Sequence, residues 1–245
     1  AGEYLAQHPI LLDELLDTRE LYEAPDWPAL DAQLLQQLEA HHGDTEREMD
    51  VLRQFRQVQT FHLLAMDLQG VLPLEKLSDH LSDLADLILR HVLRLCWRDA
   101  RRKHVEQARF AIIAYGKLGG KELGYSSDLD LVFLYEDDDP DAGQIYARLG
   151  QRINTLVSSY TAAGRLYEVD LRLRPNGDSG LLVSSTEAFE SYQREHAWVW
   201  EHQALTRARF CAGDPAVGAR FEQIRRAILC MPRDGARLRE EVLAM

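Results

Sequence analysis

Between residues 44 and 102, apolar side chains recur every three or four positions. They run Leu52, Phe55 and Val58, with Gln59 carrying the step on to Leu63, then Leu81, Leu84, Ile88, Val92 and Leu95. That period stacks them on one helical face, so helices are predicted over 45–69 and 78–102. Asp44 opens the first of these as an N-cap residue, Glu46 and Glu48 sit in its first turn, and Gly70 closes it. Shorter helices are predicted over 6–16, carried by Ile10, Leu11, Leu12, Leu15 and Leu16, and over 27–39. The connection between them is marked by Pro25, Trp27 and Pro28. The first hundred residues therefore read as helical, with their charges on solvated faces.

The period changes after Gln107. Phe110-Ala111-Ile112-Ile113-Ala114-Tyr115 and Leu129-Asp130-Leu131-Val132-Phe133-Leu134-Tyr135 are short apolar runs of strand length. Residues 166–174 alternate strictly, as a strand with one buried face does, and 181–184 forms a further short strand candidate. Helices are predicted over 144–160, 186–194, 197–208 and 214–229. The fold class this implies is α+β: a helical region over 1–107, then a domain over 108–245 with a small mixed sheet and trailing helices.

At 245 residues the chain is long enough for one large domain or two modest ones. Forty acids against 28 bases give a formal charge of −12, which argues against a general nucleic-acid surface and leaves only local basic patches. Cys96, Cys211 and Cys230 are scattered and odd in number, so neither a disulfide framework nor a structural zinc is expected. They read as reduced cysteines of a cytoplasmic protein. No run reaches the roughly 18 apolar residues of a membrane span. The chain opens without an initiator Met and stops in a helical pattern, so it reads as part of a longer protein.

The candidate chemistry lies in YGKLGGKELGYSSDLDLVFLYE, residues 115–136. On a strand, Asp128 and Asp130 project from one face while Leu129 and Leu131 face the other. Two carboxylates so placed repel unless a cation lies between them, and a divalent ion beside substrate phosphates serves that purpose. Gly119 and Gly120 would let backbone approach a phosphate, and Ser126 and Ser127 add hydroxyls beside the acids. Alone, this spacing fits equally a capped strand start with solvated acids. In the alternating segment Glu168, Asp170, Arg172 and Arg174 share one face and run into the loop Pro175-Asn176-Gly177-Asp178-Ser179-Gly180. If that strand lies beside the first, Asp170 completes a carboxylate trio and the arginines flank the phosphates. Three carboxylates holding two magnesium ions suit in-line attack on a nucleotide phosphate.

These residues are similar to the nucleotidyltransferase superfamily that includes DNA polymerase beta. More narrowly, YGKLGGKELGYSSDLDLVFLY, YEVDLRLRPNGDSGLLVSS and WVWEHQALTRAR resemble the glutamine synthetase adenylyltransferase family, and the resemblance extends to HPILLDELLD near the start. It implies a nucleotidyltransferase-type fold with Asp128, Asp130 and Asp170 as metal-binding acids, and Gly119, Gly120 and Ser127 at phosphate-loop positions. Lys117, Arg172 and Arg174 are candidates for phosphate or protein-substrate contacts, although Lys117 equally fits a solvated residue at a helix start. The activity implied is Mg2+-dependent transfer of AMP from ATP to a tyrosine of glutamine synthetase. PII signal protein and glutamine are implied as regulators of the whole protein. GYSSDLDL resembles the AMP-attaching half of the family more than the AMP-removing half. That removing half, or a non-catalytic PII- or glutamine-sensing module, are the other readings. Only one motif copy is present, so the opposing activity should be missing, and the family's later helical region is cut near Met245.

Other features carry less. Trp198 and Trp200, with Glu201, His202, Arg207 and Arg209, read as an amphipathic helix whose aromatics pack inward. His41-His42 reads as a loop pair and not as a metal site, and the acidic run 136–141 reads as a solvated loop.

Overall fold

The computed structural model describes residues 23–233 and 235–243. The predicted helix over 6–16 lies outside the described residues. The chain divides into two compact units. One holds the described residues up to Ile88 together with Lys121–Ser126 and Ser159–Leu166; the other holds Leu89–Gly120, Ser127–Ser158 and the chain from Tyr167 on.

In the first unit, α1 (Trp27–Ala40) is capped by Asp26, whose carboxylate accepts from the Ala29 amide at 3.2 Å. It buries Leu34 and Leu38. Helix α2 (Thr45–Leu68) is capped by Asp44 and buries Leu52, Phe55, Gln59, Leu63 and Met66, at intervals of three and four. Helix α3 (Leu74–Arg98) begins in this unit and from Leu89 on belongs to the other; it starts four residues earlier than the spacing alone suggested and ends four earlier. The buried Arg53 is satisfied by main-chain oxygens: it donates to Gly164 at 2.7 Å, Ser159 at 2.8 Å and Met49 at 2.9 Å. Those bonds fasten the 159–166 turn to α2, and Gln57 donating to the Ala163 carbonyl adds a further link.

The second unit is built on a five-stranded mixed sheet. Strands β1 (Phe110–Ala114) and β2 (Leu129–Tyr135) pair antiparallel at its centre. Helix α4 (Gly116–Gly119) is a single turn between them, and α5 (Ala142–Ser158) follows β2. Then come β3 (Val169–Asp170) and β4 (Val183–Ser185), which both lie parallel to β2 along its free edge. Helices α6 (Thr186–Glu195) and α7 (Val199–Leu205) lead to β5 (Arg209–Gly213), antiparallel to β1. Helices α8 (Pro215–Leu229) and α9 (Gly235–Leu243) end the described chain.

Both faces of the central strands are covered, which is why FAIIA is apolar throughout instead of alternating. On one face Ala111, Ile113, Val132 and Leu134 pack with Phe189 of α6, Leu205 of α7 and Phe221, Ile224 and Ile228 of α8. On the other, Phe110 and Phe133 lie 5.6 Å apart between ring centroids, and Tyr146 of α5 stacks on Phe110 at 5.9 Å.

Three expectations change. The alternating segment 166–174 is strand only at Val169–Asp170, and from Leu171 it turns. The helix predicted over 197–208 is confined to α7 and is followed by β5. Its register against β1 shifts between Ile112 and Ile113 and leaves Cys211 as the extra residue of a bulge. Trp198 and Trp200 are 71% and 45% exposed, not packed inward. Trp198 stands at the cap position with extended backbone, so helical spacing does not run through it, and α7 buries Glu201 and Leu205 instead.

Candidate functional site

The edge of β2 sets the site. Parallel pairing aligns Leu129 with Val169 and Asp130 with Asp170, so the two carboxylates leave neighbouring strands side by side. The Leu129 amide donates to the Glu168 carbonyl at 2.9 Å, and the Tyr115 amide to the Asp130 carbonyl at 2.9 Å, which fixes Asp130 between two strands. Asp128 precedes β2 by one residue. Asp128, Asp130 and Asp170 each bring a carboxylate oxygen to within 4.8 Å of the other two. Two residues of strand at β3 are enough to complete the trio that the sequence suggested.

Gly116 makes room for it. Its φ is +54°, which side chains rarely adopt, and a Cβ there would run into the Asp130 carboxylate. A glycine between an apolar strand and a lysine is the signal for it that the sequence offers. Gly119 and Gly120 close the α4 turn instead, their amides donating to the Tyr115 carbonyl at 2.8 Å and the Gly116 carbonyl at 3.0 Å. A Cβ on Gly119 would meet the Arg207 carbonyl, so this glycine permits close packing against the chain after α7. Lys117, exposed on α4, is close enough to favour the charged form of Asp130. Ser127 sits half-buried beside Asp128.

The arginines divide. Arg172 folds back on Asp170: its Nε lies 2.9 Å from Oδ2, and its main-chain amide donates to Oδ1 at 2.8 Å. Arg174 is drawn into the loop, donating to the Leu171 carbonyl at 2.7 Å and reaching Asp178 at 3.4 Å. Both line an open hollow of about 460 Å3 with Asp128, Asp170, Glu168 and Asn154. Asn154, on α5, is a lining residue that sequence reasoning missed, since nothing in its helical surroundings marks it.

The charges are unequal. Burial, then Asp128 and Asp170, push the Asp130 carboxyl above its usual range, against the pull of Lys117 and Arg172. The Arg172 side chain, its largest influence, holds Asp170 below the usual range. Three converging carboxylates, one of them destabilised as an anion, form an all-oxygen donor set that fits a hard divalent cation. The larger hollow in the first unit, about 740 Å3 beside α1 and α2, brings no such group together among the described residues.

Comparisons with known proteins give the chain's relatives. The family model described as glutamate-ammonia ligase adenylyltransferase matches residues 2–224. A bifunctional glutamine synthetase adenylyltransferase/adenylyl-removing enzyme from Chromobacterium violaceum is 62% identical over 242 residues, 99% of this chain and 27% of the relative. Proteins of the same description from Aromatoleum aromaticum and Nitrosomonas europaea are 61% identical over 245 residues and 60% over 251. Each covers 100% of this chain, which spans 26% and 27% of their respective lengths.

Proposed function

Since the chain belongs to the glutamate-ammonia ligase adenylyltransferase family, we propose that it transfers AMP from ATP to a tyrosine hydroxyl of glutamine synthetase and releases pyrophosphate. The carrying observation is the carboxylate trio at the start of β2 and on β3, with oxygens within 4.8 Å of one another. The catalytic part is the stretch 108–245, and the stretch 1–107 precedes it.

Asp128, Asp130 and Asp170 would hold magnesium, two ions in the reading from sequence. Bound there, magnesium supplies charge neutralisation for the phosphates and lowers the pKa of the attacking hydroxyl. The chain's own residues supply position. Asp170 stands where it can accept the tyrosine proton, and the Arg172 guanidinium on its oxygens keeps it ionised for that task. Lys117, whose charge favours the ionised form of Asp130, would meet a phosphate. Arg174, on the loop beyond, flanks the hollow where the leaving group would depart. Gly119 and Gly120 shape the turn that carries Lys117, and Ser127 offers a hydroxyl beside Asp128. The open, polar hollow suits a protein loop as the acceptor, and the chain's −12 charge suits a protein substrate better than nucleic acid. In the whole protein, PII and glutamine would act as regulators in the cytoplasm. No described helix is long and apolar enough to cross a membrane.

The test is the intact mass of unmodified glutamine synthetase subunits after incubation with the chain, ATP and Mg2+. A gain of one AMP that disappears with Asp130→Asn supports the reading. If adenylylated subunits instead lose AMP when given phosphate, the chain works in the removing direction. Full transfer by Asp130→Asn sinks the site assignment.

A further inference from the structure

Four arginines converge on a hollow of about 220 Å3 between the end of α3 and α5. Arg101 and Arg102 follow α3, Arg148 and Arg152 stand one turn apart on α5, and Ile145 and Leu149 line the same space. Like charges four residues apart on a helix repel, so this concentration of base in a chain of −12 needs a cause.

Part of the cause is structural. Arg152 donates to the Asp99 carbonyl at 2.9 Å, just past the end of α3, and lies 3.4 Å from the Asp99 carboxylate. Arg98 also holds that carboxylate, at 2.7 Å, and Arg102 pairs with Asp141. Among the described residues, Arg101 and Arg148 have no such partner, and no acid lines the hollow. Two guanidinium groups are left uncompensated beside two compensated ones, over an apolar wall. Forked guanidinium donors match phosphoryl oxygens bidentately, and several of them match a group bearing more than one charge.

We propose that this hollow binds a small phosphoryl-bearing anion, gripped by Arg101 and Arg148 and flanked by Arg102 and Arg152. Its volume falls below that of drug-sized ligand sites and suits a diphosphate better than a whole nucleotide. It shares no lining residue with the acid-lined hollow at β2. Cys96 in its wall takes no chemical part, because burial pushes the thiol up to about 12 and keeps it protonated.

The test is calorimetric titration of the chain with inorganic pyrophosphate in EDTA at low salt, where the carboxylate trio has no metal to attract an anion. Wild type should bind, Arg101→Gln/Arg148→Gln should bind at least about tenfold more weakly, and Lys117→Gln/Arg172→Gln should match wild type. Unchanged melting by circular dichroism verifies the folded state, and the exposed single Arg101→Gln serves if the double variant does not fold. Undiminished binding by the Arg101/Arg148 variants, loss confined to the Lys117/Arg172 variant, or no binding by wild type overturns the proposal. Equal affinity for succinate would overturn its phosphoryl selectivity.

Discussion

Strand β2 has an acidic cluster at each end, and the two are built in opposite ways. At its start, Asp128, Asp130 and Asp170 face one another, and burial with mutual repulsion raises the Asp130 pKa. Beyond its other end, the Asp137 side chain is 3% exposed, yet its pKa falls. Burial pushes that carboxyl upward, but donors outweigh it: the Asp139 amide at 3.1 Å, the Tyr146 hydroxyl at 2.8 Å and the His104 ring 2.7 Å away. Tyr146 in turn accepts from the Arg109 amide at 3.1 Å, so the network ties α5 to the end of the sheet. Carboxylates matched by donors hold a fold together. Carboxylates gathered with too few donors leave charge for something else to neutralise.

The sharpest way to break this contrast is to remove one acid from each end. Asp130→Asn should lower AMP transfer by about a thousandfold or more, the several kcal/mol that lost charge stabilisation at a metal site represents. Its melting temperature without metal should be unchanged or slightly higher, since one of three repelling charges is gone. Asp137→Asn should do the reverse, keeping activity per folded molecule and losing about 1–3 kcal/mol of stability as charge-assisted bonds weaken. Urea unfolding followed by circular dichroism, paired with the mass assay, separates the two. A destabilised Asp130→Asn with a stable Asp137→Asn would invert the assignment of site and scaffold.

A milder change refines the scaffold end. Tyr146→Phe keeps the ring that stacks on Trp97 and Phe110 at 5.9 Å and deletes only the hydroxyl. The loss should be about 1 kcal/mol, smaller than for Asp137→Asn because the other donors to the carboxylate remain. An equal loss would place the energy in the tyrosine instead of the carboxylate.

How much of this was legible in the sequence follows from where the determining contacts lie. Helix α2 was readable to within a residue because its cap and its apolar stripe are local. The central strands were readable because sheet faces covered on both sides need unbroken apolar runs. Strand β5 was missed: five residues between a helix end and the Asp214 cap look like a connection, and only pairing with β1 makes them strand. The alternation over 166–174 overstated β3, because Arg172 and Arg174 turn back to bond Asp170 and the Leu171 carbonyl instead of continuing the ladder. The carboxylate trio survived that error, since its third member needs register at one position only. The acidic run 136–141 misled in the other direction: composition suggested solvated charge, whereas His104, distant in sequence, and the Tyr146 hydroxyl from the following helix convert Asp137 into a buried anchor.

The smallest effect is a pH dependence confined to the scaffold end. Because the folded-state pKa of Asp137 lies below that of an unfolded aspartate, its stabilisation is fully present above the ordinary carboxylate range. It is lost progressively as pH falls through the depressed value, since the proton then binds the unfolded chain first. The stability gap between wild type and Asp137→Asn should therefore be widest near neutrality and narrow on the acid side. Urea midpoints collected at descending pH read that gap directly. A gap that stays constant would mean that the carboxylate contributes through shape and packing alone, and the two ends of β2 would then differ in geometry but not in how they hold charge.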